Sequence, residues 1–444
     1  MTQKSAARTG ITHVLAGYSP VMLAKLDAFR PPGSLLVLEE PDVIAARGLE
    51  REIRRFGCVA ALVPAPTQDE NHPERLVAAV HRPPGVRAVV PVVEYGVLAA
   101  ATLAEAWGLP GAGVKAARVF RDKALLREAA ARAGLAQPAW RTVHGPADLD
   151  AFRAEHGPAC VLKPANRQAS LGVQLLADDD DSATAWLRTT TADEPTLRAR
   201  SADRTRFLAE RRLRGPEVSV EALVHAGTVG MRNITAKRVL PSRHPVETGH
   251  TLPARLPART ATALHDALAA LIGITGFGSG VLHSEWILED GVPHLVECAG
   301  RLPGGGITVL IDLAYDTDIL RGLLAALEGG GTPSPPTAVR GAAVRFLTAP
   351  PGTVTRIEGV ETARAAAGVH AVSLQTAPGR TNGPVVSSWE RAGSVIATGD
   401  DAAQAGRRAE AAAAAVRIHT APARGSRPDP PEGIGDAPEN GANS

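Results

Sequence analysis

Over residues 282–297 two strand-like segments flank an Asp290-Gly291 pair. Two such segments around a two-residue Asp-Gly turn signal predict a β-hairpin. With the turn centred near Gly291, Glu285 and Glu297 fall opposite each other on one face of adjacent strands, their Cβ atoms roughly 5 Å apart. A slip of one residue would separate them. Two carboxylates that close, in partly buried surroundings, repel or share a proton. A hard divalent cation such as Mg²⁺ removes the conflict and leaves room for phosphate oxygens. The other arrangement open to the pair is a solvent-facing side of the sheet.

The next segment, 298–306, sets Arg301 four residues beyond Glu297 and ahead of Gly304-Gly305-Gly306. A guanidinium offers a planar donor fork to phosphate or carboxylate, and glycines permit close backbone approach. Upstream, Lys163 ends the apolar run 159–162 and precedes Pro164. A lysine there either meets an anion, such as a nucleotide phosphate, or leaves the sheet edge for water. The polar loop 165–173 contains Arg167, Ser170 and Gly172, and its N–H groups suit it to fold over phosphates. The pattern GxxxxGK[ST] does not occur in the sequence, which excludes a Walker-type loop. Lys123 and Arg127 are four apart and share a face at the start of an amphipathic helix. Taken alone, that pair reads as solvent-exposed. Glu210 and Glu217 flank Gly215-Pro216. Such an edge segment can present backbone groups to adenine while a carboxylate takes ribose hydroxyls.

Around this centre the chain divides into regimes. From about 11 to 110, short β-branched runs at 12–16, 34–38, 59–63 and 88–93 alternate with helical stretches. That is the pattern of a parallel sheet covered on both faces. The stretch 111–337 predicts a helix over 121–133, strands at 159–163, 172–176, 207–212 and 217–223, and a helix over 261–272. The third regime, 338–420, predicts strands at 342–347, 354–357 and 369–374 and a helix over 402–416. The tail 421–444 is too rich in Pro, Gly, Asp and Asn to fold by itself.

Composition bounds the partners. At 444 residues, 44% hydrophobic and 21% charged, the chain is globular and long enough for two or three cores. Lys plus Arg total 48 against 46 Asp plus Glu, a formal charge of +2, which gives no pull toward nucleic acid or an anionic membrane. The three cysteines, Cys58, Cys160 and Cys298, are far apart. They imply neither a disulfide framework nor a thiolate metal cluster, and fit a reducing cytoplasm. Residues 1–10 lack a signal-peptide apolar core, and no run of about 18 apolar residues suggests a membrane span.

Together, Lys123, the run 161–164, Glu210 with residues 215–221, and the stretch from Glu285 to Arg301 resemble the ATP-grasp superfamily. Within it the chain is similar to the carboxylate–amine ligases that include bacterial L-amino-acid ligases, over nearly everything from residue 11 to about 420. The resemblance implies a mixed α/β and α+β chain with an ATP-grasp fold. Residues 1–110 would form an N-terminal Rossmann-like parallel-sheet domain. Residues 111–337 would form the ATP-grasp domain, with a lid-like subdomain at about 125–205, and 338–420 a small C-terminal capping domain. By the same resemblance Lys123 and Lys163 bind ATP phosphates, and Ser170 and Gly172 belong to a mobile phosphate-covering loop. Glu210 sits at the adenine hinge and Glu217 at the ribose. Glu285 and Glu297 hold Mg²⁺, with Mn²⁺ as a substitute, and Arg301 binds the transferring phosphate. Segment 245–253 resembles the stretch of amino-acid ligases whose Glu and His line the substrate end of the site, here Glu247 and His250. Without the resemblance both would belong to a wet Thr/Gly/Pro loop. Ala299 stands where many superfamily members carry an additional Asn ligand.

The implied activity is ATP- and Mg²⁺-dependent activation of a small carboxylate, of an amino acid or related acid, as an acyl phosphate. Coupling to an amine then releases ADP and phosphate. The expected partners are small-molecule carboxylate and amine substrates, with no nucleic acid and no membrane, in a cytoplasmic homodimer. The alternative is a catalytically weak ATP-binding or carboxylate-sensing module.

Overall fold

The computed structural model describes residues 10–192, 205–240, 242–334 and 336–422. The first regime folds into a four-stranded, all-parallel sheet in the order Val59–Pro64, Leu35–Glu39, His13–Ala16, Ala88–Pro91. His13–Ala16, Leu35–Glu39 and Ala88–Pro91 are buried along their whole length, which is why they read as unbroken apolar runs rather than alternating ones. One face packs on the helix Val97–Ala106 through Ala99, Ala100 and Leu103. The other shares an apolar cluster with the helices Ile307–Tyr315 and Ile319–Leu327, where Leu15, Leu35 and Val37 lie together with Leu310, Ile311 and Leu323.

The centre of the molecule is an eight-stranded antiparallel sheet. Its order is Val292–Ala299, Gly280–Glu289, Glu217–His225, Thr228–Val239, Glu247–Leu252, Gly341–Leu347, Gly393–Gly399, Val369–Leu374. One face is apolar: Val218, Val220, Leu282, Trp286 and Leu295 pack against the helices Val114–Arg121, Lys123–Arg132 and Ala258–Thr275. The alternation Glu217-Val218-Ser219-Val220-Glu221 therefore sends its polar members to the opposite face. That face carries the site. The strand Gly341–Leu347 pairs with Glu247–Leu252, so one sheet runs across the boundary read at 337. A second antiparallel sheet, ordered Trp140–Val143, Phe207–Arg211, Cys160–Pro164, Gln174–Leu175, stands over it. A three-stranded sheet of Thr381–Asn382, Gly352–Glu358 and Arg417–Ala421 completes the chain.

Several expectations change in detail. The helix expected over 121–133 is two helices, because Asp122 is extended and its carboxylate caps the N–H groups of Ala124 and Leu125. Such a cap starts a new helix at Lys123. Thr228–Val239, with its alternation blurred by Gly230, Arg232 and Asn233, is a twelve-residue strand to which the sequence reading assigns none. Residues 247–252 form a strand and not a loop, with Gly249 and His250 buried. Ala421 pairs with Thr353 in the three-stranded sheet rather than opening the tail; residues 423–444 of that tail lie outside the described residues.

Candidate active site

The hairpin expected at 282–297 forms, and Glu285 is paired with Glu297. The turn alone does not bring this about. From the tight turn outward the ladder runs Glu289–Val292, Leu288–Pro293, Ile287–His294 and Trp286–Leu295, a register that would set Glu285 against Val296. A β-bulge then advances the outer strand by one residue and delivers Glu297. Both Val296 and Glu297 consequently face the same cavity, where a regular strand would alternate them. A second bulge acts on the next candidate pair. Arg238 pairs with Gly249 but Val239 with Glu247, so Thr248 is the extra residue. Residues three apart on a regular strand point to opposite faces; with Thr248 bulged, Glu247 and His250 share one.

The cavity so formed is about 450 Å³. Lys123, Lys163, Ser170, Glu210, Glu217, Glu247, Glu285, Glu297 and Arg301, all anticipated from the sequence, line it, among apolar surface from Val161, Leu175, Leu213 and Ile287. Two anticipated residues do not. Gly172 sits beside the lining residues Ser170 and Val173 without joining them. His250 is buried beneath Gly305, where a Cβ would meet its Nε2 at 2.7 Å. The glycine run thus lets the turn lie flat on the imidazole. Gly215 is needed for a similar reason: its φ is +147°, and a Cβ would lie 2.2 Å from the Leu288 carbonyl oxygen.

Most of the carboxylates and lysines lining the cavity are held in ion pairs. Lys237 Nζ lies 2.7 Å from Glu285, 2.8 Å from Glu217 and 2.9 Å from Glu247. Burial disfavours its ammonium, but the three carboxylates outweigh this and raise its pKa well above the ordinary lysine value. Glu285 also accepts from His283 Nε2 at 3.0 Å, while His283 Nδ1 is 2.9 Å from the buried Glu221. Burial works against the Glu285 carboxylate, yet Lys237 and His283 hold its pKa well below the usual range. Lys123 Nζ is 3.3 Å from Glu297. Glu210 is gripped by Arg127 and, at 2.8 Å, by Lys163; burial is again overcome, and its pKa falls to about 2. Arg301 Nε donates to Glu94 at 2.8 Å, and Glu94 also accepts from the buried Arg121 at 2.8 Å. Arg391, from the turn after Ser388–Glu390, reaches Glu247 Oε2 at 2.6 Å.

In the sequence Lys237, within Thr235-Ala236-Lys237, stands only as a weaker neighbour of Glu247 and His250, and His283, Glu221, Glu94 and Arg391 carry no assigned role there. Arg127 reads there as exposed, whereas Lys123 and Arg127 are both buried, at 7% and 0%. The His283-Ser284-Glu285 and Glu217-Val218-Ser219-Val220-Glu221 alternations could have placed His283 and Glu221 on the site face. Nothing local marks Glu94 or Arg391.

Glu285 and Glu297 are a fitting donor set for Mg²⁺. That ion binds through one or two carboxylates together with substrate phosphates and retained waters, rather than in an all-protein cage. Among the described residues no group of three or more His, Cys, Asp or Glu side chains is arranged to hold a metal. Ala299, buried beside the pair, supplies no ligand atom.

Residues 157–309 match the family model of the ATP-grasp domain, and residues 345–421 that of the L-amino acid ligase C-terminal domain 2. The chain is 27% identical over 301 residues to the uncharacterized protein y4rH of Sinorhizobium fredii, covering 66% of this chain and 59% of that protein. It is 26% identical over 281 residues to the alanine–anticapsin ligase of Bacillus subtilis, covering 59% of this chain and 58% of that enzyme. The chain thus spans somewhat under three-fifths of both relatives' length. The crystal structure of an L-amino acid ligase from Bacillus licheniformis superposes with a TM-score of 0.72 at 19% identity, over 93% of this chain and 99% of that one. With its carboxylate pair facing a lysine- and arginine-lined cavity, the chain carries an ATP-grasp domain over residues 157–309 and an L-amino acid ligase C-terminal domain 2 over residues 345–421.

Proposed function

We propose that the chain is an ATP-dependent carboxylate–amine ligase that activates the carboxylate of an amino acid or related small acid as an acyl phosphate. The observation that carries this reading is the convergence, in one cavity, of the facing pair Glu285 and Glu297 with Lys123, Lys163 and Arg301. Cations gathered around a carboxylate pair suit a polyphosphate and its divalent ion. Glu285 and Glu297 would hold Mg²⁺, or Mn²⁺ in its place, which when bound neutralises phosphate charge.

In this reading a carboxylate oxygen of the acid attacks the γ-phosphorus of ATP, and the bond to the bridging oxygen of ADP breaks. A neutral amine then attacks the acyl carbon, phosphate departs with the acyl bond electrons, and the nitrogen gives up a proton to form the amide. Lys123 and Lys163 face the phosphates, and Glu210 fixes Lys163 against Arg127. Arg301, steadied by Glu94, meets the transferring phosphate. Ser170 and the neighbouring loop cover the phosphates and keep water from the acyl phosphate. Glu217 takes the ribose side. Glu247, held through both oxygens by Lys237 and Arg391, offers a fixed anion to the ammonium of the acid. His250 acts from beneath Gly305 by supporting the Gly304–Gly306 turn, not by touching substrate.

The test is incubation with ATP, Mg²⁺ and pooled amino acids, reading ADP and amide products by mass spectrometry. Amine-dependent ADP release with a matching amide is expected. Replacing Glu297 with Gln should lower that release by at least ~100-fold with the fold retained, since it removes charge that compensates the transition state. Tight ATP binding with no amine-dependent ADP release would instead favour a catalytically weak ATP-binding or carboxylate-sensing module and end the ligase reading.

A further inference from the structure

The bulge that delivers Glu297 needs a partner of its own. A bulge breaks the ladder locally and leaves backbone groups without cross-strand bonds, and a buried carbonyl without a donor is costly. Here the donor is Arg127, fully buried on the helix Lys123–Arg132. Its Nη1 donates to the Leu295 carbonyl at 2.7 Å and its Nη2 to the Val296 carbonyl at 3.0 Å. Leu295 is the last residue in the turn-side register and Val296 is the extra one. The same guanidinium donates from Nε and Nη2 to the two oxygens of Glu210, at 2.9 and 3.1 Å. Just beyond the helix, the Ala136 carbonyl accepts from Leu295 N–H at 2.9 Å. Were the regular ladder to continue past Trp286–Leu295, Glu297 would turn to the face of Trp286 and Leu295. That face packs an apolar cluster.

We propose that Arg127 is a positioning residue: by bonding the two bulge carbonyls it holds Glu297 on the same face as Glu285, and through Glu210 it ties that register to the strand Phe207–Arg211. The planar fork is essential, because a lysine ammonium keeps the charge beside Glu210 but cannot serve both carbonyls in the same geometry. This inference rests on the reading of Glu285 and Glu297 as cation-holding carboxylates, and the test separates the two.

The experiment is Mn²⁺ titration by electron paramagnetic resonance on the full chain with ADP, for the wild type, Glu297→Gln and Arg127→Lys. Circular dichroism and thermal melting check the fold of each. Arg127→Lys is expected to weaken Mn²⁺ binding by ~10–100-fold, the usual effect of losing an orienting partner of a metal ligand. Glu297→Gln is expected to weaken it at least as much. If Glu297→Gln binds Mn²⁺ like the wild type, the cation reading falls and this inference with it. If Glu297→Gln loses Mn²⁺ while folded Arg127→Lys stays within ~2-fold of the wild type, the positioning role alone is overturned.

Deleting Val296 sharpens the result, since a regular ladder then sets the same glutamate against Glu285. In that background Arg127→Lys should change Mn²⁺ affinity by less than ~3-fold; an undiminished loss would mark general destabilisation and overturn the proposal. Should the variants not fold, a crystal structure of the wild type with Mg²⁺ and ADP decides. A bulge at Val296 with both arginine bonds supports the role, and a regular ladder or a released Arg127 overturns it.

Discussion

Lys163 and His283 show how much of this site is set by single buried charges. Burial lowers the Lys163 ammonium to about 8, against the pull of Glu210 and with Arg127 and Lys123 adding to the fall. A bound polyphosphate favours the charged form, so affinity should be flat below pH 8 and weaken as pH rises beyond it. Calorimetric titration with ADP from pH 6.5 to 9.5 should show ~10-fold weakening in the wild type. Arg at position 163 remains charged throughout and should flatten the profile; an unchanged profile in Lys163→Arg would assign the titration elsewhere. His283 runs the other way. Burial disfavours its imidazolium, but hydrogen bonds to Glu221 and Glu285 raise it to about 9. A folded-state value above the ordinary 6.5 means stabilisation fully present below about pH 6.5 and lost as pH rises through 9. The amount is on the order of 3 kcal/mol. Urea unfolding of the ligand-free protein at pH 6 and pH 9.5 should show that loss, and His283→Gln should remove most of the difference.

At the scale of elements, the two bulges at the site are each met by an arginine from far along the chain, fully buried at Arg127 and partly buried at Arg391. Arg127 bonds the Leu295 and Val296 carbonyls, and Arg391 donates to both the carbonyl and the carboxylate of Glu247. Arg391 lies across the Phe346 ring, 3.7 Å from its centroid, and follows a turn locked by a Ser387–Glu390 capping box. The same turn touches the loop 165–173, through Ser388 N–H and the Ala169 carbonyl at 3.2 Å. A segment of the C-terminal region therefore braces the Glu247 side of the cavity. Arg391→Ala should raise KM for the acid substrate by ~10-fold or more, as expected for loss of a hydrogen bond to a charged group. KM for ATP should move less than ~2-fold, and Arg391→Lys should recover part of the loss. Steady-state kinetics with each substrate varied in turn would check this; equal effects on both constants would show that the turn supports the fold and not the substrate end.

Across the whole molecule, the parallel sheet is not a detachable module. Leu15, Leu35 and Val37 share one apolar cluster with Leu310, Ile311 and Leu323, and Lys25 pairs with Asp312 at 2.5 Å. His13 reaches Glu328 at 2.7 Å on the same side. Truncating Leu310 to Ala should therefore cost about 3 kcal/mol, typical of a buried Leu-to-Ala change. The loss should appear equally in hydrogen-exchange protection of His13–Ala16, Leu35–Glu39 and Ile307–Tyr315, because they open together. Protection lost only in the helix would show that the sheet unfolds independently.

The sequence by itself determined the kinds of residue and their periods. Unbroken apolar runs gave a parallel sheet, the Asp290-Gly291 turn signal between strand-like segments gave the hairpin, and the order of Lys, Glu and Arg positions gave the lining of the cavity. Only the tertiary structure decided which face those side chains take. The two-residue turn Asp290-Gly291, centred between those residues and not on Gly291, leads by regular pairing to Val296 opposite Glu285, and spacing sets Glu247 and His250 on opposite faces; one-residue bulges reverse both outcomes. Period is a local property, legible in a short window. A bulge is stable only where its freed carbonyls find donors, and the donor for Leu295 is an arginine 168 residues away in sequence. Nor does the local pattern around Lys123, Arg127 and Lys237 tell a solvated charge from a buried one, since their partners arrive from other elements.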